Sequence, residues 1–367
     1  MFTKNLQLAL LCILLLPSTL QARNLEYWSL QDYLALFPEQ KPLVQRFESK
    51  VRKPAVPLPQ PLTKTVRIVM LTPDQQVSDY WSRNQTSLGK RLVELGVPFS
   101  LQNYPSLPST TDREQEQQLA EALLSDPDYL VLTLNSPRQT VLLDKLMTRD
   151  RPKIILMNIT TPLKSLKKRP PFLYVGFDHR VGTHLLNERI KKLTNSQANY
   201  LMLYGTRGYI SQARGDEFIQ LNINEPNIKL RQAFYTDVDQ EKAKQAVIQS
   251  LRDKPNINLI YACTTDIALG AAQALKKLNK EHKVILNGWG GGSAELEAIE
   301  SGVLNLTVMR MNDDNGVAIA EAIRLDQIGK KHLVPQIYSG DFRVIDQTTS
   351  NAELERLKDY AFRYSNE

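Results

Sequence analysis

The chain has 367 residues, 42% of them hydrophobic and 23% charged, with a formal charge of +7 at pH 7 and two cysteines. That length supports two domains with real hydrophobic cores and excludes a disulfide-stapled miniature protein. The basic excess is mild and interspersed with acids. Only KSLKKR (164–169) is dense enough to notice, and it reads as a solvated loop, not the cationic stripe of a nucleic-acid-binding surface.

Residues 1–22 carry one lysine, an apolar run of about half the twenty residues a membrane span needs, and then Pro17 with small and polar residues. This is the pattern of a secretory signal peptide cleaved after Ala22, so the mature protein is expected in the periplasm. Cys12 leaves with the signal. Cys263 then has no internal partner and reads as a small buried hydrophobe.

Residues 23–64 form a preamble. LEYWSLQDYLALF has helical apolar spacing, whereas KPAVPLPQPL is a proline-rich connector that suits neither a helix nor a central strand.

From Thr65 the chain alternates short β-rich runs with amphipathic stretches. The predicted strands are VRIVML (66–71), YLVLTL (129–134), KIILMN (153–158), LYVGF (173–177), NYLMLYG (199–205), LRQAFYT (230–236), LIYACT (259–264) and VILNGW (284–289), with LNLTVMR following. REQEQQLAEALL, VGTHLLNERIKKL, EKAKQAVIQSL and IALGAAQALKKL lie between them, with apolar residues three and four apart. Strands separated by crossover helices imply parallel sheets with helices on both faces. The expected fold is therefore α/β, with two doubly wound lobes.

In such sheets a ligand lies beyond the carboxyl ends of the strands. Reading only those positions selects Gln76, Ser78 and Trp81, then Asn158, Arg214, Thr265, Asp266, Trp289 and Arg310. Two guanidiniums, one acid, several neutral hydrogen-bonding groups and two indoles suit a small polyhydroxylated ring. The paired guanidiniums point further, to an anion or a dense cluster of oxygens. Each residue also has a plainer role open to it. Asp266 and Ser78 could cap helices, Trp81 could be core, Asn158 could end its strand in a turn, and the arginines could pair with Asp216, Glu217, Asp313 or Asp314.

Enzyme chemistry is poorly served, and none is expected. His179, His184, His282 and His332 are scattered, no GxSxG elbow occurs, and GWGGGS (288–293) lacks both the P-loop lysine and the third glycine of a dinucleotide fingerprint. Its glycines are expected to let the backbone turn beside a ligand, with Trp289 as a pocket wall and Ser293 capping the next helix.

FPEQ, QQVSDYW, NITTP, FLYVGFDH, GYIS with RGD, YAC with TD and ALGA, NGWGGGSAEL, VMRMNDD, YSGDF and AFRYS run through almost the whole mature chain. On these motifs the sequence resembles the type I periplasmic sugar-binding proteins of the ribose-binding kind, and among them the LuxP-type branch that binds autoinducer-2. The resemblance implies lobes joined by three crossover strands that close like a hinge. It divides the chain into 65–176 plus 311–340 as one lobe and 177–310 plus 341–367 as the other. The implied ligand is a furanosyl borate diester held by Arg214 and Arg310, with Gln76, Ser78, Trp81, Asn158, Thr265 and Trp289 as further contacts. Asp266 is carried over from the wider sugar-binding pattern. No cofactor is implied, since borate is part of the ligand. The implied partner is the periplasmic domain of a LuxQ-like hybrid sensor kinase. The alternative expectation is a pentose- or hexose-binding protein serving an ABC transporter.

Overall fold

A computed structural model describes residues 26–73, 76–106, 112–134 and 137–366. The expected signal peptide, with Cys12, lies outside the described residues.

The first sheet is built from β1 (Val66–Pro73), β2 (Phe99–Ser106), β3 (Tyr129–Leu132), β4 (Lys153–Met157), β5 (Leu173–Gly176) and, from far along the chain, β11 (Ile337–Ser339). Its order is β11-β5-β4-β3-β1-β2, and every pairing is parallel. The second sheet runs β7-β6-β8-β9, also parallel, from β6 (Ala198–Tyr204), β7 (Ile228–Tyr235), β8 (Leu259–Ala262) and β9 (Ile285–Leu286). Two isolated parallel bridges, Asn287 to Leu306 and Gly290 to Met309, extend it to β10 (Leu306–Arg310), which pairs antiparallel with β12 (Phe342–Asp346).

The α/β expectation with two parallel sheets holds. The chain passes between the sheets three times, at Gly176 to His179, Arg310 to Asp314 and Ser339 to Phe342.

Central strands β3, β5 and β8 are buried on both faces, which is why they read as unbroken apolar runs. β2 was missed in the sequence. It is an edge strand whose polar residues alternate with half-buried ones, so FSLQNYPS carries no continuous apolar signal. β11 has only three residues, and β12 is interrupted by the exposed Arg343, so neither leaves an unbroken apolar run.

The helix Asp314–Gln327 is buried along most of its length and packs against the helix Tyr80–Glu94. A buried ion pair, Arg91 Nη2 to Glu321 Oε1 at 2.6 Å, crosses that contact. The same guanidinium donates to the Lys53 carbonyl at 3.0 Å. Phe47 and Val51 sit in the core beside it. The preamble is thereby fastened to the first-sheet lobe. Ser29 accepts from the Asp32 N–H at 3.0 Å to start the helix Leu30–Leu36, within the stretch read as helical.

Candidate functional site

The carboxyl ends of β1 and β4 in one lobe face those of β6, β8, β9 and β10 in the other across a cavity of about 170 Å³. All nine residues selected at strand ends line it: Gln76, Ser78, Trp81, Asn158, Arg214, Thr265, Asp266, Trp289 and Arg310. The plainer roles fare as follows. Asp79, not Ser78, occupies the cap position of the helix Tyr80–Glu94, and Trp81 is only half-buried, its ring edge-on to Tyr80 at 4.7 Å between centroids. Asn158 does end its strand in a left-handed conformation, with φ 63°. Its Oδ1 is buried without a hydrogen-bond partner, an acceptor left for something in the cavity.

The two arginines define the electrostatics. Arg214 lies in a π-helical turn, Gln212–Asp216, which places its side chain under the cavity. Its guanidinium stacks over Trp289, with 3.6 Å from Cζ to the ring centroid, and Nη1 donates to the Cys263 carbonyl at 2.7 Å. Arg310 leaves the end of β10 and lies over Tyr80, at 4.0 Å. Both side chains are 4% exposed, and among the described residues neither has a carboxylate within ion-pair distance. Burial, and next the charge of Arg310, push Arg214 down to about 9; burial also lowers Arg310. Two cations held close together out of water, with the buried Glu295 carboxylate acting on both only from beyond ion-pair distance, raise the free energy of an empty cleft, and an anion would relieve it.

One oxygen of each cavity carboxylate is engaged within the protein, and Asp266 Oδ2 is buried without a hydrogen-bond partner. Asp266 accepts from the Val77 N–H at 2.8 Å, so it reaches across to the other lobe instead of capping its own helix; burial raises its carboxyl. A second acid, Asp237, which sequence reading did not place here, also lines the cavity and is ion-paired to Lys242 at 2.6 Å. Asp79 makes a further bridge between lobes, accepting from the Ser293 N–H at 3.1 Å, while Arg83 donates to Ser293 Oγ at 2.7 Å. The lobes are therefore held closed upon each other.

The GWGGGS loop is organised by Glu295. This wholly buried carboxylate accepts from the Trp289 N–H at 2.9 Å, the Gly291 N–H at 2.8 Å and the Thr307 hydroxyl at 2.5 Å. Ser293 does not cap the helix Ser293–Glu300; it is the first residue of that helix, and the cap position is Gly292. The expected reason for the glycines also changes. A Cβ at Gly288 would stand 2.6 Å from the Glu295 carboxyl, and one at Gly291, where φ is +65°, would stand 2.3 Å from Met309 Cα. Protein, not ligand, crowds them. Trp289 is 1% exposed and forms a cavity wall between Arg214, His179 and Phe342.

Residues 68–331 match the family described as periplasmic binding protein domain. The chain belongs to this family. The D-allose-binding periplasmic protein of Escherichia coli is 27% identical over 274 residues, 73% of this chain and 86% of that one. A solute-binding protein from Actinobacillus succinogenes, solved with bound D-allose, superposes with a TM-score of 0.67 at 21% identity, covering 81% of this chain and 100% of that one. The fructose-binding periplasmic domain of a hybrid two-component system gives a TM-score of 0.69 at 20% identity over 80% and 94% of the two chains.

In this periplasmic binding protein, four residues at or behind the cavity escaped sequence reading besides Asp237: Asp79, Tyr80, His179 and Glu295. Glu295 sits in AELEAI like any polar position of a surface helix, and nothing local announces that it folds back onto the loop before it. Asp79 and Tyr80 lie between Ser78 and Trp81 in QQVSDYW, where the local sequence does not separate cavity-facing positions from helix positions. His179 is one of four scattered histidines, and nothing in its local sequence announces a partner 35 residues away.

Proposed function

We propose that this periplasmic binding protein captures a compact polyhydroxylated ligand between its lobes, and that the ligand carries negative charge. The observation behind the charge is the pair of buried guanidiniums, Arg214 and Arg310, without carboxylate partners among the described residues. Asp266, Asn158, Gln76, Ser78 and Thr265 supply acceptors and donors for hydroxyls, and Trp81 and Trp289 supply apolar walls for ring C–H faces. The specific ligand proposed is autoinducer-2 as its furanosyl borate diester, a small anion dense in oxygen. Boron then belongs to the ligand, and no separate cofactor is required. Closure is proposed to be read by the periplasmic domain of a LuxQ-like hybrid sensor kinase. That one structural neighbour is itself the periplasmic domain of a hybrid two-component system supports such a coupling for this fold.

A second reading is a neutral pentose or hexose carried to an ABC transporter. The comparisons lean this way: the relatives named above are described as binding D-allose and fructose. The second arginine weighs against it, since a neutral sugar gains little from two buried cations. In either reading the protein binds without turnover. The two cavity acids are tied to a backbone N–H and to a lysine, unlike the carboxylate pair at set separation that glycoside hydrolysis uses.

Thermal denaturation with autoinducer-2 plus borate, D-allose and D-ribose at equal concentration separates the two. A ligand at a hundred times its dissociation constant adds roughly 2.7 kcal/mol. Stabilisation by the borate complex alone supports the signalling ligand. Stabilisation by D-allose or D-ribose, with none from the borate complex, replaces it with sugar transport.

A further inference from the structure

His179 begins the helix that follows β5 at one of the three crossings between lobes, and it is completely buried. Its Nε2 lies 3.1 Å from the carbonyl oxygen of Asn158. A carbonyl can only accept, so the proton sits on Nε2 and the Nδ1 lone pair faces the other way. There it meets Arg214, with Nε and Nη2 both 3.4 Å distant. The Trp289 and Tyr209 rings close around the imidazole at 5.2 and 5.8 Å between centroids. The charged groups that act on it are Arg214 and Arg310, and burial followed by the Arg214 charge keeps it neutral.

Three surfaces therefore fix Arg214: the Cys263 carbonyl on Nη1, the Trp289 face beneath, and the His179 lone pair along the Nε–Nη2 edge. The remaining N–H donors are left for the cavity. An aspartate or glutamate in place of His179 would hold the same edge more tightly, yet it would cancel the charge. A neutral imidazole aims the guanidinium and leaves its charge for the ligand.

We infer that His179 is a positioning residue that sets the cleft's preference for anionic over neutral ligands, by orienting Arg214 through a neutral acceptor. The inference rests on the charged-ligand reading above for the direction of selectivity, but the orienting contact is independent of it. His179 packs on the lobe that carries Arg214, and its Nε2–H reaches the Asn158 carbonyl of the other lobe.

The test compares His179→Leu, His179→Asn and His179→Asp by calorimetry against two probes, autoinducer-2 with borate and D-ribose. His179→Leu removes the acceptor and is expected to weaken the borate complex about tenfold or more. His179→Asn places an amide oxygen near the position of Nδ1 and is expected to restore most of that loss. His179→Asp should lower the ratio of borate-complex to D-ribose affinity about tenfold or more, because the arginine is neutralised in place. An unchanged ratio in His179→Asp, or wild-type affinities in His179→Leu, overturns the inference. If the wild-type protein binds D-ribose and ignores the borate complex, the charged-ligand reading has failed. The positioning role is then decided by whether His179→Leu weakens D-ribose binding and His179→Asn recovers it. Should the leucine variant not fold, ¹⁵N NMR of the histidine-labelled wild type decides the contact: a neutral Nε2–H tautomer at pH 7 supports it, and an Nδ1–H tautomer or an imidazolium refutes it.

Discussion

Replacing Arg214 by methionine should make the empty protein more stable and the liganded one unattainable. The guanidinium is 4% exposed, and burial, followed by the neighbouring Arg310 charge, pushes it down from the ordinary arginine range to about 9. At about 1.4 kcal/mol for each tenfold change, this corresponds to roughly 5 kcal/mol of unfavourable charge burial in the unliganded cleft. Methionine retains the apolar stem and the contact with Trp289 but forfeits the bond to the Cys263 carbonyl, so only part of that energy is recovered. A net gain of about 1 kcal/mol would raise the melting midpoint of a chain this long by about 1–2 °C. Differential scanning calorimetry, with and without autoinducer-2 and borate, reads both effects: a higher midpoint without ligand, and loss of the ligand-induced shift. The sign of the pH dependence follows from the same value. The folded state gives up this proton more readily than the unfolded chain, so the destabilisation is fully present below pH 9 and relieved only above it. The difference between variant and wild type should therefore be flat from pH 6 to 8. A midpoint several degrees lower, with the ligand shift intact, would refute the picture of an unpaired cation waiting for its partner.

Glu295→Ala should be costly, because it leaves the buried N–H groups of Trp289 and Gly291 and the Thr307 hydroxyl unpaired. A loss of roughly 3 kcal/mol or more is expected in urea denaturation, with Glu295→Gln intermediate. Asp79→Ala removes the acceptor for the Ser293 N–H across the cleft, and with it the ion pair that holds Arg83 on its own helix. Small-angle scattering should show a more open unliganded protein and titration a weaker ligand, with the melting midpoint nearly unchanged; an unaltered radius of gyration would contradict the interlobe bridge.

The sheets were legible because parallel strands buried on both faces leave runs such as YLVL and LIYA that nothing else in the chain imitates. The edge strand β2, half-exposed and carrying Gln102 and Asn103, has no such signature. The cavity residues were legible for a related reason. In a doubly wound sheet the residues just after an apolar run stand at the strand end, so Asn158, Thr265, Trp289 and Arg310 identified themselves by position. What remained hidden depends on contacts between distant segments. Glu295 acts on a loop that only the turn of the chain brings back to it. Ser293 had the chemistry of a helix cap, but Asp79 of the other lobe takes its N–H instead. His179 lies 35 residues from Arg214, and no spacing rule joins them.

The central claim is that Arg214 and Arg310 together hold a charged, oxygen-rich ligand between the lobes. A crystal structure of the protein taken directly from cells producing its natural ligand tests this most directly. The expected result is a compact ring between Trp81 and Trp289, with anionic oxygens within hydrogen-bond distance of both guanidiniums. A neutral sugar bound to Asp266 and Asn158, with neither arginine touching it, would contradict the claim.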